Sequence, residues 1–229
     1  MREQAPLALP PPAGPAHWEE ESPLGARVMT ALGSANAAFL SLAGALHAER
    51  PGMPALGLAG HVLAGLARVE SLHHGLAVPL ALYDIRFRDE RFWRLEVAAC
   101  RSVHDGQAPA AADARVVRFA RTAVTLAWHF AQSEPRAARL ALGMETTVQE
   151  ALTALPVGAL EPLAQRVAGV VAARFCTRER FWGLVTAAIR FGQDNAAIER
   201  LRLLGLQLQG AESARVQQLN RRLRRTETP

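Results

Sequence analysis

RFRDERFWRLEVAACR, residues 86–101, returns almost unchanged as RFCTRERFWGLVTAAIR, residues 174–190, with one residue inserted after the shared RF pair. Glu90, Arg91, Phe92, Trp93, Leu95, Ala98, Ala99 and Arg101 match Glu179, Arg180, Phe181, Trp182, Leu184, Ala187, Ala188 and Arg190. An alanine-rich chain does not produce that agreement by chance. Further upstream, SLAGALHAERPGMPALGLAG (41–60) resembles TLAWHFAQSEPRAARLALGM (125–144), with Pro51 opposite Pro135, Leu42 opposite Leu126 and Leu58 opposite Leu142. The spacing between copies drifts from 84 to 89 residues. The pattern reads as a duplicated unit of roughly 80 residues, longer than a common solenoid repeat, so two copies make a pseudo-symmetric pair rather than an array.

Apolar spacing and helix-end signals predict about four helices in each unit. In the first, a helix runs from Pro23 to about Glu49, where RPGMP breaks it; a second covers Pro54 to Ser71 and a third Leu76 to about Ile85. Asp89 then caps a fourth that ends near Ser102. In the second, helices span Ala112 to Gln132, Pro135 to Leu155 and Leu160 to Phe175, and Thr177 caps a last one ending near Phe191. After Gly192, Asp194 caps a C-terminal amphipathic helix that Gly205 and Gly210 can bend. The expected organisation is therefore a Pro-rich, acidic arm (1–22), unit 1 (23–103), the linker HDGQAPAA (104–111), unit 2 (112–191) and the basic amphipathic helix (192–229).

Composition agrees with an all-α fold. The 229-residue, 24.7 kDa chain is half hydrophobic but only 6% aromatic, and about a fifth of it is alanine, which favours helices over sheets. It is long enough to bury a core without staples. Its basic side is 26 arginines and no lysine, giving a net charge of +5 and a pI near 10.7. Lysine general bases and Schiff bases are thereby excluded. Cys100 and Cys176 are too far apart in sequence for a metal motif, and two cysteines make no disulfide framework, so a reducing, cytoplasmic setting is expected. The arm LALPPPAGPAHWEEESP lacks the apolar stretch of a signal peptide. No run of 18 or more apolar residues free of Arg, His or Glu is read, so no spanning helix is expected.

The chemistry-bearing patterns are few. GxSxG, GxxxxGK[ST], HExxH and a strand-borne GxGxxG are missing, so neither catalysis nor a cofactor is expected. The adjacent His73 and His74 point to different sides, and His61 is twelve residues away, so no metal site is expected. GLAGHVLAG lies inside a predicted helix, where its glycines permit close packing. Cys176 stands between helices near Arg174 and Arg178, a setting that can lower a thiol pKa. In the ERFW segments Phe92 with Leu95, or Trp93 with Val97, share a helix face, which reads as an aromatic core cluster with Phe87 and Phe175. Arg91 or Arg180 can pair with Glu90 or Glu179 at the surface.

The C-terminal helix carries what is left. Arg221, Arg222, Arg224 and Arg225 form a patch without an acid, suited to phosphates, an acidic protein, the chain's own acidic N-terminal arm, anionic lipid or simply a solvated helix C-terminus. Leu201, Leu204, Leu208, Leu219 and Leu223 form an apolar stripe for a docking partner. The expectation is a cytoplasmic helical adaptor or assembly factor without catalysis, whose partner is another protein or a second copy. The alternatives are a nucleic-acid-binding accessory protein using the four arginines, and an enzyme with an unrecognised helical active site.

Overall fold

Residues 28–46 hold no charged side chain or histidine, and they form the body of α1 (Ala26–Glu49). The expectation that every long apolar stretch is interrupted fails here: by length and composition α1 is apolar enough to cross a membrane. Half of its most apolar window is buried inside the helical body. The computed structural model describes residues 24–67, 76, 78–101, 112–190 and 195–226; of 195, 216, 217 and 219–226 it describes the backbone alone. The expected arm (1–22), the linker 104–111, His73, His74 and the Asp194 cap lie outside the described residues.

The described chain is mostly helical, as its alanine content predicts. After α1 come α2 (Gly60–Ala67), β1 (Tyr83–Asp84), α3 (Glu90–Arg101), α4 (Ala114–Ser133), α5 (Pro135–Leu142), α6 (Thr146–Thr153), α7 (Leu160–Val167), β2 (Ala172–Ala173), α8 (Glu179–Arg190) and α9 (Asn195–Thr226). The long helices α1 and α4 pack together, and α4 also carries α5, α6 and α7. Across that pair the ends are exchanged: α3 packs on α6 and α7, while α8 packs on α2 and α9. All buried apolar side chains belong to one cluster.

Several helix expectations are corrected. The described residues of 76–85 are not helical but irregular, with a strand only at Tyr83–Asp84: Leu76, Val78, Leu80, Leu82, Tyr83 and Ile85 are all buried. A short, wholly apolar run does not announce its period, so helix and strand cannot be told apart from it. Its polar backbone is satisfied from outside. Buried Asn36 on α1 donates from Nδ2 to Leu80 O at 3.0 Å and accepts from Leu82 N at 2.9 Å; Ala81 N donates to Ala141 O; and β1 pairs antiparallel with β2, Tyr83 opposite Ala173. The helix expected from Pro54 starts only at Gly60, because Gly57 at φ 78° forms a turn closed by Ala55 and Leu58; its expected end, 68–71, lies outside the described residues. Gly143 at φ 70° splits Pro135–Leu155 into α5 and α6. Leu160–Phe175 gives way after α7 to a 3-10 turn and β2. Asp89 caps α3 as expected, accepting from Phe92 N at 2.9 Å. α8 starts at Glu179, where Phe181 N donates to Arg178 O, rather than at a Thr177 cap. α9 is assigned as one helix through Gly205 and Gly210.

The ERFW segments are core, with two adjustments. Trp93 and Trp182 are completely buried, and their indole N–H groups donate to Arg86 O at 2.9 Å and Arg174 O at 3.0 Å. Phe87 stacks on Trp93, and Phe181 meets Phe175 and Trp182 edge-on. Leu95, by contrast, is 62% exposed, so Trp93 with Val97 is the buried face of α3. Glu90 pairs with Arg94 and Glu179 faces His61 at 3.8 Å, rather than with Arg91 or Arg180.

Candidate functional site

α9 meets the body through the face that was expected to dock a partner. Leu201 is completely buried, and Ile198, Leu204 and Leu208 are half-buried against the core. A Cβ at Gly205 would strike Leu80 and stand 3.5 Å from Phe181, so the missing side chain lets the helix seat closely. The Leu201, Leu204 and Leu208 part of the stripe therefore faces the chain's own core. Apolar spacing alone shows that a face is to be covered, not by what. The side chains of Leu219, Leu223, Arg221, Arg222, Arg224 and Arg225 lie outside the described residues. On the outer face of α9, Leu203 is 57% and Leu206 42% exposed, followed by exposed Gly210, Ala211, Ala214 and Arg215.

Under the inner face of α9 lies a group of charges that sequence reasoning missed. It is built where α5 ends at Gly143. Arg88, from the turn before α3, donates from Nε to Gly143 O at 3.3 Å and from Nη2 to Gln209 O at 3.5 Å. Arg174, just after β2, donates from Nη1 to Ala141 O at 2.9 Å and is only 4% exposed. Both guanidinium groups thus sit at a helix C-terminus, the end whose carbonyls attract cations. A Cβ on Gly143 would collide with Arg174 Nη2 and stand 3.0 Å from Arg88 Nη2. Glycine therefore supplies both the positive φ and the room for two cations.

Acids and uncharged polar groups complete the site. Glu212 of α9 places Oε2 2.9 Å from Arg88 Nη1, close enough for an ion pair but not aligned as a hydrogen bond. Gln209 donates from Nε2 to Arg139 O at 3.0 Å. Asp84 accepts from Phe87 N at 3.1 Å and its charge reaches Arg174. Of the five buried side-chain atoms without a hydrogen-bond partner among the described residues, four belong to this site: Arg88 Nη1, Arg174 Nη2, the Tyr83 hydroxyl and Gln209 Oε1; the fifth is His47 Nδ1. Burial lowers the Arg174 pKa to about 10, against the pull of Asp84 and with the push of Arg88. Burial likewise raises Glu212, with Arg88 and Arg174 opposing, and raises Tyr83. Taking charge out of water disfavours the charged form in each case.

The remaining candidates are plainer. Cys176 rests against Gly57, whose Cβ would stand 3.3 Å from the cysteine Cβ. Gly65 of α2 faces Thr186 of α8, close packing of the kind expected of GLAGHVLAG. A shallow groove of about 300 Å³ runs between α5 and α6, lined by Pro135, Arg139, Thr146, Gln149, Glu150 and Thr153. Among the described residues no three of His, Cys, Asp and Glu gather as metal ligands would. The RF pair before each ERFW marked Arg174 as the counterpart of Arg86, but the repeat gave no signal for Arg88, the residue after the first pair. No family model matches the chain, and no curated protein or solved structure matches it.

Proposed function

We propose that the chain is a helical adaptor or assembly factor, built on a duplicated helical unit, that works through protein–protein contact with α9 as its contact element. The observation that carries this reading is the outer face of α9. A helix of about 48 Å at 1.5 Å per residue is fixed along its inner face, and it holds Leu203 and Leu206 in solvent on the other.

The first occupant of that face is a second copy of the chain. If two α9 helices cross antiparallel about residue 207, each bulky Leu203 lies over the small Gly210 and Ala211 of the other. Exposed Glu199 then faces exposed Arg215. Large against small and acid against base is the self-complementarity a twofold interface requires.

The duplication is supported by positions that recur at nearly fixed spacing. Left-handed residues occur at Arg86 (φ 61°) and Phe175 (φ 53°), each just before an ERFW helix. Gly57 and Gly143 form positive-φ turns before α2 and α6. The strands that precede the two ERFW helices pair with each other, and the ERFW helices are exchanged between halves.

The test is light scattering on the wild type and on Leu203→Glu/Leu206→Glu, over a range of concentrations, with circular dichroism as the control for folding. A mass of twice 24.7 kDa for the wild type and the monomer mass for the variant is the expected result. A monomer at every concentration defeats the reading. Retention on DNA that falls steeply with salt, and is lost when Arg221, Arg222, Arg224 and Arg225 become Ala, puts the nucleic-acid reading in its place.

A further inference from the structure

We propose that Arg88 and Arg174 form a carboxylate receptor, held in this structure by the chain's own Glu212, which an acidic segment of a partner protein enters when Glu212 turns aside. The inference does not depend on the pairing of α9, whose outer face points away from this site.

The seat has more donors than Glu212 uses. A guanidinium offers five N–H donors in a planar fork suited to a two-oxygen acceptor. Glu212 meets Arg88 at 2.9 Å without hydrogen-bond alignment, while Arg174 Nη2 and the Tyr83 hydroxyl have no partner among the described residues. Both of these residues are more than nine-tenths buried. Buried donors without acceptors are costly in a folded protein, and a well-placed anion removes that cost.

Charge selects the class of occupant. With Glu212 in place, Arg88 and Arg174 are balanced by Glu212 and Asp84. Once Glu212 turns away, two cations face one half-buried acid, Asp84, and a carboxylate restores the balance. The exchange is local, because the Glu212 side chain is 43% exposed and stands on the edge of α9. Only a side-chain rotation is required, with Leu201, Gly205 and Leu208 holding the helix in place. The opening it leaves admits an acidic side chain carried on another polypeptide. Gly143 leaves room for the two guanidinium groups that form the seat, since a Cβ there would displace Arg174 Nη2.

The test is calorimetric titration of the full chain with capped hexaglutamate, using capped hexaglutamine as the uncharged control. A tethered competitor acts at an effective concentration in the millimolar range, so Glu212→Gln is expected to bind hexaglutamate about tenfold more tightly than the wild type. Arg88→Lys in that background keeps the charge but loses the fork, and is expected to cancel the gain. Leu203→Glu/Leu206→Glu is expected to bind the peptide as the wild type does, which separates this site from the α9 interface. Equal binding by wild type and Glu212→Gln overturns the proposal. So does tight binding that survives Arg88→Lys, because the Arg-rich C-terminus is then the receptor.

Discussion

The turns at Gly57 and Gly143 each set a glycine at positive φ, 78° and 70°, ahead of a short helix on the core. At Gly57 the neighbour is the Cys176 side chain, 3.3 Å from where a Cβ would lie, with the Ala172 methyl at 4.0 Å. At Gly143 the neighbours are two guanidinium groups, with an acid from α9 above them. The first shows that a positive-φ turn closes with small, nearly apolar neighbours. The charges at the second are therefore not required by the turn itself, and buried charge is seldom retained for stability alone. That difference is the reason to look for function at Gly143 and not at Gly57.

The largest expected effect probes the frame common to both turns. Trp93→Ala and Trp182→Ala each remove a fully buried ring and an indole bond to a turn carbonyl. Each is expected to cost about 3–5 kcal/mol in urea unfolding. Trp182 should stand at the upper end. Its ring neighbours Phe39 and Phe181 are completely buried, whereas Trp93 meets buried Phe87 but half-buried Phe92. A loss at Trp93 equal to or above that at Trp182 removes the inequality between the two halves on which the comparison rests.

Much of this frame was legible in the chain. The repeated ERFW segment gave α3 and α8 nearly to their ends, because an aromatic face, an arginine in the last turn and, for α3, the Asp89 cap are local signals. The β1–β2 pair was not legible. Leu76 to Ile85 is apolar at every other position and at every third, and what takes up the backbone of Leu80 and Leu82 outside a helix is Asn36, forty-odd residues away. The candidate site escaped for the same reason. Arg88, Arg174, Gln209 and Glu212 lie on segments far apart in sequence, and each read alone is an ordinary surface polar residue. The inner stripe of α9 was seen but assigned to a partner, since periodicity is silent on whose core a face enters.

A middle-sized effect separates the turns directly. Gly57→Ala and Gly143→Ala both force a side chain to a positive φ, at about 1–2 kcal/mol. At Gly57 the new methyl finds only a tight contact with Cys176. At Gly143 it must displace the Arg174 and Arg88 guanidinium groups, whose other nitrogens hold Ala141 O and Gly143 O and whose Arg88 Nη2 holds Gln209 O. Gly143→Ala should therefore lower the urea midpoint further and loosen α9, read as faster hydrogen exchange between Leu201 and Glu212. If Gly57→Ala is the more damaging, the guanidinium groups yield easily and the seat at Gly143 is not built.

The smallest effect is read at alkaline pH, where Tyr83 is the only tyrosine, there is no lysine, and the other shifted groups that titrate are Arg174, lowered to about 10, and Cys100. Burial raises the Tyr83 pKa above the usual value near 10. A group whose folded pKa is raised contributes stability that is whole below the unfolded pKa and is lost as pH rises from there towards the folded value. The wild type should thus lose urea midpoint above about pH 10, and Tyr83→Phe should lose less. Burial of Cys100 raises its thiol in the same direction, so the difference between the two proteins is the quantity to follow. At neutral pH Tyr83→Phe deletes a hydroxyl with no partner among the described residues, and it should change stability by no more than about 1 kcal/mol, towards greater stability. The native tyrosinate absorbance should stay flat through pH 10 and rise only on unfolding. An early rise means that solvent reaches the hydroxyl, and a seat already open to water has no need of Glu212 to fill it.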